Sequence, residues 1–471
     1  MDRSRADLKI SSVTAETLFL SHRDSHPQLG LSLGAFSFFP IDRHEESPGL
    51  DPCRRRFGAF GHRGLKNNGA EALQSLIGLS RLFPAFLANY PLNLKLGPLK
   101  FNITDYTGGL PTLIYEPNAW TKTANVIFLD VPVGAGFSYA TTTEAWSESD
   151  TKSATQAYDF LRNWLGEHPD FLGNPVYLGS DSYEGVVTPI LAQDIINGNE
   201  AGVEPRVNLK GFSIGCPHTN SDLEDNTIII FAHRMALISD AMYKSAKTSC
   251  HGNYTDSTNA NCTKALAAIY QCIKLVSKQN ILEPNCAFIS PRAKEESNQR
   301  SLKENSGNFI LPSPRNDDFW CKNFDYLLFD IWVNYKSVQD ALHVRPGTVK
   351  EVFRCNLTLT SEYSYDVTDA VPYHKNLTNS GLQILVFSGD LDMYVPHIAI
   401  EQWINSLDLT IDTDWRPWFV DGQVAGYTER YTNSGYRLTY ATVKGAGHSP
   451  TEYKRKECYD MFHRWIHYYP L

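Results

Sequence analysis

No Cys-x-x-Cys pair occurs among the nine cysteines of this chain, which removes the commonest zinc-site spacing. No metal and no cofactor is implied by its motifs. Its longest apolar runs fall short of the roughly 18 residues that a membrane-spanning helix needs, so no membrane partner is expected. Basic charge is in deficit: the formal net charge is −9, which argues against a nucleic-acid partner. Internal repeats with a period of about 20–50 residues are missing, which makes a solenoid or propeller an unsuitable reading. The opening residues Met1–Asp7 lead into no apolar stretch, so no signal-peptide pattern is present.

What remains is a globular composition. The 471 residues are 42% apolar and 20% charged, enough to bury a large core in one or two domains. Four cysteines fall between 250 and 286, and five Asn-x-Ser/Thr sequons begin at Asn102, Asn253, Asn261, Asn356 and Asn376. Chance would supply roughly two or three sequons. Together these features point to a protein of the secretory route. That reading conflicts with the missing signal pattern, and a start at Met1 that is not the natural one would reconcile them. Cys250 and Cys262 flank a short sequon-bearing loop and are expected to pair; Cys272 with Cys286 is the next candidate.

From about residue 97 the pattern alternates between strand and helix. Asn125–Asp130 is a continuous apolar run ending in an acid, as a strand buried on both faces reads. Ala154, Ala157, Tyr158, Leu161, Trp164 and Leu165 follow at helical spacing, with Asp150 as the expected N-cap and Gly166 at the end. Val176–Leu178 is the next strand, then a helix with Val187, Ile190, Leu191 and Ile195. Gln383–Phe387 and Leu438–Val443 read as later strands. Cys458, Met461, Phe462 and Trp465 mark a terminal amphipathic helix. This order predicts a mostly parallel central sheet with helices on both faces. Residues 216–330 interrupt it and are expected to form an inserted helical cap. Within the cap, 287–318 is a polar linker. The core is expected over 96–215 and 331–471.

Three short stretches carry chemistry. Ser182 lies in Gly179-Ser180-Asp181-Ser182-Tyr183-Glu184-Gly185, Asp392 in Ser388-Gly389-Asp390-Leu391-Asp392, and His448 in Gly445-Ala446-Gly447-His448. Each follows an apolar strand-like run, and the order Ser, Asp, His is that of an α/β-hydrolase triad. A serine hydroxyl becomes nucleophilic when a histidine takes its proton, and a carboxylate fixes that histidine's tautomer. The amide of Tyr183 is the expected oxyanion donor. Of the two acids, Asp392 is assigned to the histidine and Asp390 to shaping the loop.

These motifs resemble the serine carboxypeptidase family, and so do Gly97-Pro98-Leu99, Trp120-Thr121-Lys122, Pro132–Tyr139 and Asp414–Trp418. The resemblance covers nearly all of 97–471 and implies the α/β-hydrolase fold with Ser182, Asp392 and His448 as triad. It is nearest to the plant serine carboxypeptidase-like acyltransferases. Peptidase members usually carry Glu before the nucleophile, as part of the group that recognises a peptide's terminal carboxylate. Acyltransferase members usually carry Asp, and this chain has Asp181, implied to be substrate-binding. The implied reaction takes an acyl group from a 1-O-β-glucose ester to a small-molecule acceptor. A serine-type carboxypeptidase acting on a peptide C-terminus, and a catalytically impaired relative, are the alternatives. The family also implies secretion or vacuolar location.

The chain departs from the family pattern at Ser180, where Gly is usual, and at Glu184, where a small residue is usual. It holds no Gly-Gly-Pro-Gly, the loop that implies the second oxyanion donor. Residues 1–95 are therefore expected to be an atypical, mispredicted N-terminus in which the family's early strands are missing.

Overall fold

The computed structural model describes residues 29–30, 74–80, 95–103, 106, 108–142, 146–255, 258–284, 323–353 and 356–471, with main chain only at 29–30, 74–80, 323–324 and 357. The proposed linker 287–318, and with it Cys286, lies outside the described residues.

Twelve strands are described. Two short pairs stand apart: β1 (Leu29–Gly30) with β6 (Tyr139–Ala140), and β3 (Leu99–Phe101) with β4 (Leu113–Tyr115). The main sheet has eight strands, in order β10 (Thr410–Val420), β11 (Gln423–Asn433), β12 (Tyr436–Val443), β9 (Gln383–Gly389), β8 (Leu209–Gly215), β7 (Val176–Asp181), β2 (Gln74–Ser80) and β5 (Ala124–Asp130). Pairings from β12 to β5 are parallel, while β10, β11 and β12 form an antiparallel meander at one edge. Strand β9 is buried at every position, and its apolar run Ile384–Phe387 has no polar face to offer solvent.

Strand β2 corrects the expectation that the early strands are missing. Gln74–Ser80 pairs in parallel with both β5 and β7, in the interior of the sheet. Its sequence, with Gly78 and two serines, lacks the β-branched run that marks such a strand.

Helices cover both faces. Helices Asp150–Glu167, Glu184–Glu200 and His397–Asn405 bury Phe160, Leu161, Ile190, Leu191 and Trp403 on one side. Helix Arg455–Ile466 buries Cys458, Met461, Phe462 and Trp465 on the other, where Phe462 stacks on Trp120 at 3.9 Å. The N-cap of helix Asp150–Glu167 is Ser149, whose Oγ accepts from the Lys152 amide at 3.2 Å. Asp150, expected as that cap, is instead a buried first-turn residue that accepts from the Tyr363 hydroxyl at 2.9 Å and the Val367 amide at 3.1 Å. The helix runs one residue past Gly166, to Glu167.

Between β8 and β9 the described elements are all helical. Ser221–Arg234, Asp240–Cys250 and Ala260–Ile273 share a core that reaches across to Met393 and Ile398. Cys250 and Cys262 are disulfide-bonded, whereas Cys272 is an exposed free thiol. Further helices follow, and the main sheet resumes only at Gln383; residue 331 falls inside helix Asn323–Val333.

Candidate active site

Parallel strands all end on one side of a sheet, so the turns that follow them converge there. Three such turns build the site. Ser182 follows β7 with φ of 61°, a left-handed conformation that turns the chain sharply into helix Glu184–Glu200. Its amide donates to Gly215 O at 2.7 Å, and its carbonyl accepts from the Gly185 amide at 3.0 Å and the His218 amide at 2.9 Å. Gly185 is required by this close approach: a Cβ there would lie 2.4 Å from His218 O and 2.7 Å from Pro217 Cβ.

Both departures beside the serine lie inside the protein. Ser180 is buried, and its Oγ accepts from Thr188 Oγ1 at 2.7 Å. Glu184, 1% exposed, opens the helix, where the helix dipole favours a negative side chain. Tyr183 sits between them as the helix N-cap, so its main-chain N–H belongs to the end of the helix that attracts anions. Its ring stacks on His218 at 5.2 Å.

Asp392 lies in the turn after β9, fully buried. Its Oδ1 accepts from the Tyr394 amide at 2.7 Å and the Val395 amide at 3.0 Å. Its Oδ2 lies 2.8 Å from His448 Nδ1, and His448 Nε2 lies 2.7 Å from Ser182 Oγ. A carboxylate only accepts, so Nδ1 carries the proton and Nε2 is left to accept from the serine. Burial works against a charged His448, but the Asp392 carboxylate outweighs it and raises the imidazole above its ordinary range.

Asp390 is placed differently. Its Oδ1 accepts from the Gly445 amide at 2.7 Å, tying the turn after β9 to the histidine loop. Burial pushes its carboxyl up, opposed by the amides of Gly445 and Ala446. The two loops are in direct contact: a Cβ on Gly389 would lie 2.3 Å from Gly447 O.

Asp181 points to a neighbour that the sequence reading missed. Lys95, 4% exposed, places Nζ 3.0 Å from Asp181 Oδ2 and 3.1 Å from Glu452 Oε1. A second unanticipated element is the segment Lys278–Ile281. Lys278 O accepts from the Met393 amide at 2.9 Å, Gln279 O from the His448 amide at 2.5 Å, and the Ile281 amide donates to Leu391 O at 3.2 Å. One stretch of chain thus braces both the acid turn and the histidine loop. Cys216, at the end of β8, brings its Sγ within 4.8 Å of ligand-type atoms of Asp392 and His448. Burial, with Asp392 and Asp181 nearby, pushes this thiol well up and keeps it neutral, so it does not compete as a nucleophile. Lys95 and Cys216 are single residues without a local pattern, which is why only the folded chain reveals them.

Fold and site define an α/β-hydrolase-type protein with a serine, histidine and aspartate assembled at its strand ends. The family model for serine carboxypeptidase matches residues 92–468. Serine carboxypeptidase-like 17 of Arabidopsis thaliana is 41% identical over 377 residues, 80% of this chain and 78% of that protein. Serine carboxypeptidase-like 7 of the same plant is 40% identical over the same shares. This chain belongs to the serine carboxypeptidase family. The crystal structure of Kex1Δp, a prohormone-processing carboxypeptidase from Saccharomyces cerevisiae, superposes with a TM-score of 0.62 over 84% of this chain and 83% of that one; at 17% identity this shows the fold.

Proposed function

We propose that the protein is a serine carboxypeptidase-like acyltransferase working through an acyl-enzyme at Ser182. In the first half-reaction Ser182 Oγ attacks the carbonyl carbon of a 1-O-β-glucose ester and its proton passes to His448 Nε2. The developing oxyanion is stabilised by the Tyr183 amide. Collapse breaks the bond to the anomeric oxygen, which takes the proton from His448 and leaves as glucose. In the second half-reaction the acceptor hydroxyl or amine gives its proton to His448 and attacks the acyl carbon, restoring Ser182. Asp392 holds the imidazole in the tautomer that both halves need.

The observation that carries this reading over peptide hydrolysis is the state of Asp181. Its Oδ2 is engaged by Lys95 at 3.0 Å and by the Ser449 hydroxyl. With that oxygen taken up by Lys95 and Ser449, it is not left to bind the terminal carboxylate of a peptide, the task of the acid at this position in the peptidases. A glucose ester makes no such demand on it. Exposed sequon asparagines at 253, 261 and 376 and the Cys250–Cys262 bond support a secreted or vacuolar location. No helix among the described residues is long and apolar enough to cross a membrane.

One observation favours a second reading, that of a catalytically impaired relative. The sequence holds no Gly-Gly-Pro-Gly loop, and loss of one oxyanion donor costs on the order of a hundred- to a thousandfold in rate. Labelling with a fluorophosphonate separates the two readings. Rapid modification of Ser182, abolished in Ser182→Ala, supports an active enzyme; an unmodified Ser182 in folded protein refutes it.

A further inference from the structure

Lys95 is an ammonium group almost wholly removed from water, next to the catalytic candidates but in contact with none of the three. An ammonium offers three donors. Lys95 uses them on Asp181 Oδ2 at 3.0 Å, Ser449 Oγ at 2.9 Å and Glu452 Oε1 at 3.1 Å. Burial works against its charge, yet Glu452 and Asp181 outweigh this and hold its proton above the ordinary lysine range.

The positions of these partners give the arrangement its meaning. Asp181 immediately precedes Ser182, and Ser449 immediately follows His448. The Ser449 hydroxyl also donates to Asp181 Oδ2. One ammonium and one hydroxyl therefore join the residue before the nucleophile to the residue after the base. Ser449 is held in a left-handed conformation, φ 64°, which is uncommon for a residue other than glycine. The far side is anchored as well: the Tyr326 hydroxyl donates to Glu452 Oε2 at 3.0 Å, and Arg455 Nη1 donates to Lys95 O at 3.4 Å.

We propose that Lys95 is a positioning residue of this site, locking the serine elbow to the histidine loop through Asp181 and Ser449 and offsetting the Asp181 carboxylate near the imidazole. The proposal rests on the acyl-enzyme reading above and adds to it. The groups that face His448 are Asp392 and Tyr394 from the turn after β9, Ser182 and Asp181 from the end of β7, Cys216 from the end of β8, and Lys95. Asp392 and Asp181 favour a proton on the imidazole, and Lys95 opposes it. Removing the lysine charge therefore keeps His448 protonated to higher pH. The base form is the reactive one, so the rising limb of the rate moves to higher pH.

The test is the pH–rate profile of fluorophosphonate labelling at Ser182 in the full chain, with a thermal melt of each variant. Lys95→Met should shift the rising limb to higher pH and slow labelling about tenfold or more even on the plateau, through misplacement of Ser182 against His448. Lys95→Met combined with Asp181→Asn should bring the limb back towards the parent, which a role confined to stability does not predict. Ser449→Ala keeps both ion pairs and should slow the plateau about tenfold with the limb unmoved. A folded Lys95→Met with the parent's limb and plateau overturns the proposal. If Lys95→Met does not fold, a parental rate in Ser449→Ala overturns it. A parent that fails to label defeats the acyl-enzyme reading itself, whereas normal labelling with unmoved variants defeats only the role of Lys95.

Discussion

Replacing Asp392 with asparagine should nearly silence Ser182, by a route the hydrogen bonds dictate. Oδ1 of Asp392 accepts from the Tyr394 and Val395 amides at 2.7 and 3.0 Å. An asparagine must keep its carbonyl oxygen there, because its amide nitrogen would face two donors. The NH2 group is then forced into the Oδ2 position, 2.8 Å from His448 Nδ1. A donor at that point makes Nδ1 an acceptor and moves the ring proton to Nε2, which faces Ser182 Oγ at 2.7 Å and can no longer take its proton. Wrong-tautomer variants of other triads lose about 10⁴ in rate, equivalent to about 5 kcal/mol of barrier. Asp390→Asn serves as the control. Its Oδ1 still accepts from the Gly445 amide, and what disappears is the charge that the Gly445 and Ala446 amides face, worth about 1 kcal/mol. Labelling rates at Ser182, read by mass spectrometry on variants shown to be folded, should fall about 10⁴-fold for Asp392→Asn and less than about tenfold for Asp390→Asn. A harmless Asp392→Asn beside a damaging Asp390→Asn would reverse the assignment.

The other predictions concern the elbow, the disulfide and the linker. Gly185→Ala should destabilise the fold and lower labelling, since its Cβ would meet His218 O at 2.4 Å, and the melting temperature checks it; an unchanged melt would contradict the close packing described. Loss of the Cys250–Cys262 bond by Cys250→Ser should cost about 3 kcal/mol, as closing a loop of this length implies, and urea unfolding measures it. Limited trypsin digestion should cut first near Arg292, Lys294 or Arg300, in the polar sequence of 287–318, with both pieces co-eluting on gel filtration because the sheet takes strands from either side; first cuts within 125–215 would contradict this.

How much of this was legible depends on what each element exposes. Strands β5 and β9 carry continuous apolar runs, β7 opens on Val176-Tyr177-Leu178, and helix Asp150–Glu167 carries a regular apolar stripe, so their patterns stand out in the sequence. Strands β10 and β11 do not: β10 is the sheet's edge and mostly solvent-facing, and β11 beside it alternates buried with exposed positions only irregularly. Strand β2 is masked by its serines and glycine although it lies inside the sheet. At the site, Ser182, Asp392 and His448 were readable because each sits in a glycine-bearing turn after a strand. Lys95 and the Lys278–Ile281 brace were not, since their roles arise from contacts between residues far apart in the sequence. The N-cap at Ser149 rather than Asp150 shows the local limit: either residue type can cap, and tertiary bonds from Tyr363 and Val367 claim the aspartate.

The central claim, acyl transfer through Ser182, is tested most directly by incubating the protein with a sinapoyl- or galloyl-type 1-O-β-glucose ester plus an alcohol acceptor, and in parallel with a blocked dipeptide. The account predicts release of glucose, formation of the acylated acceptor, and an acyl mass on the Ser182 peptide when acceptor is withheld, all abolished in Ser182→Ala. Release of the C-terminal residue from the dipeptide without turnover of any glucose ester would contradict it.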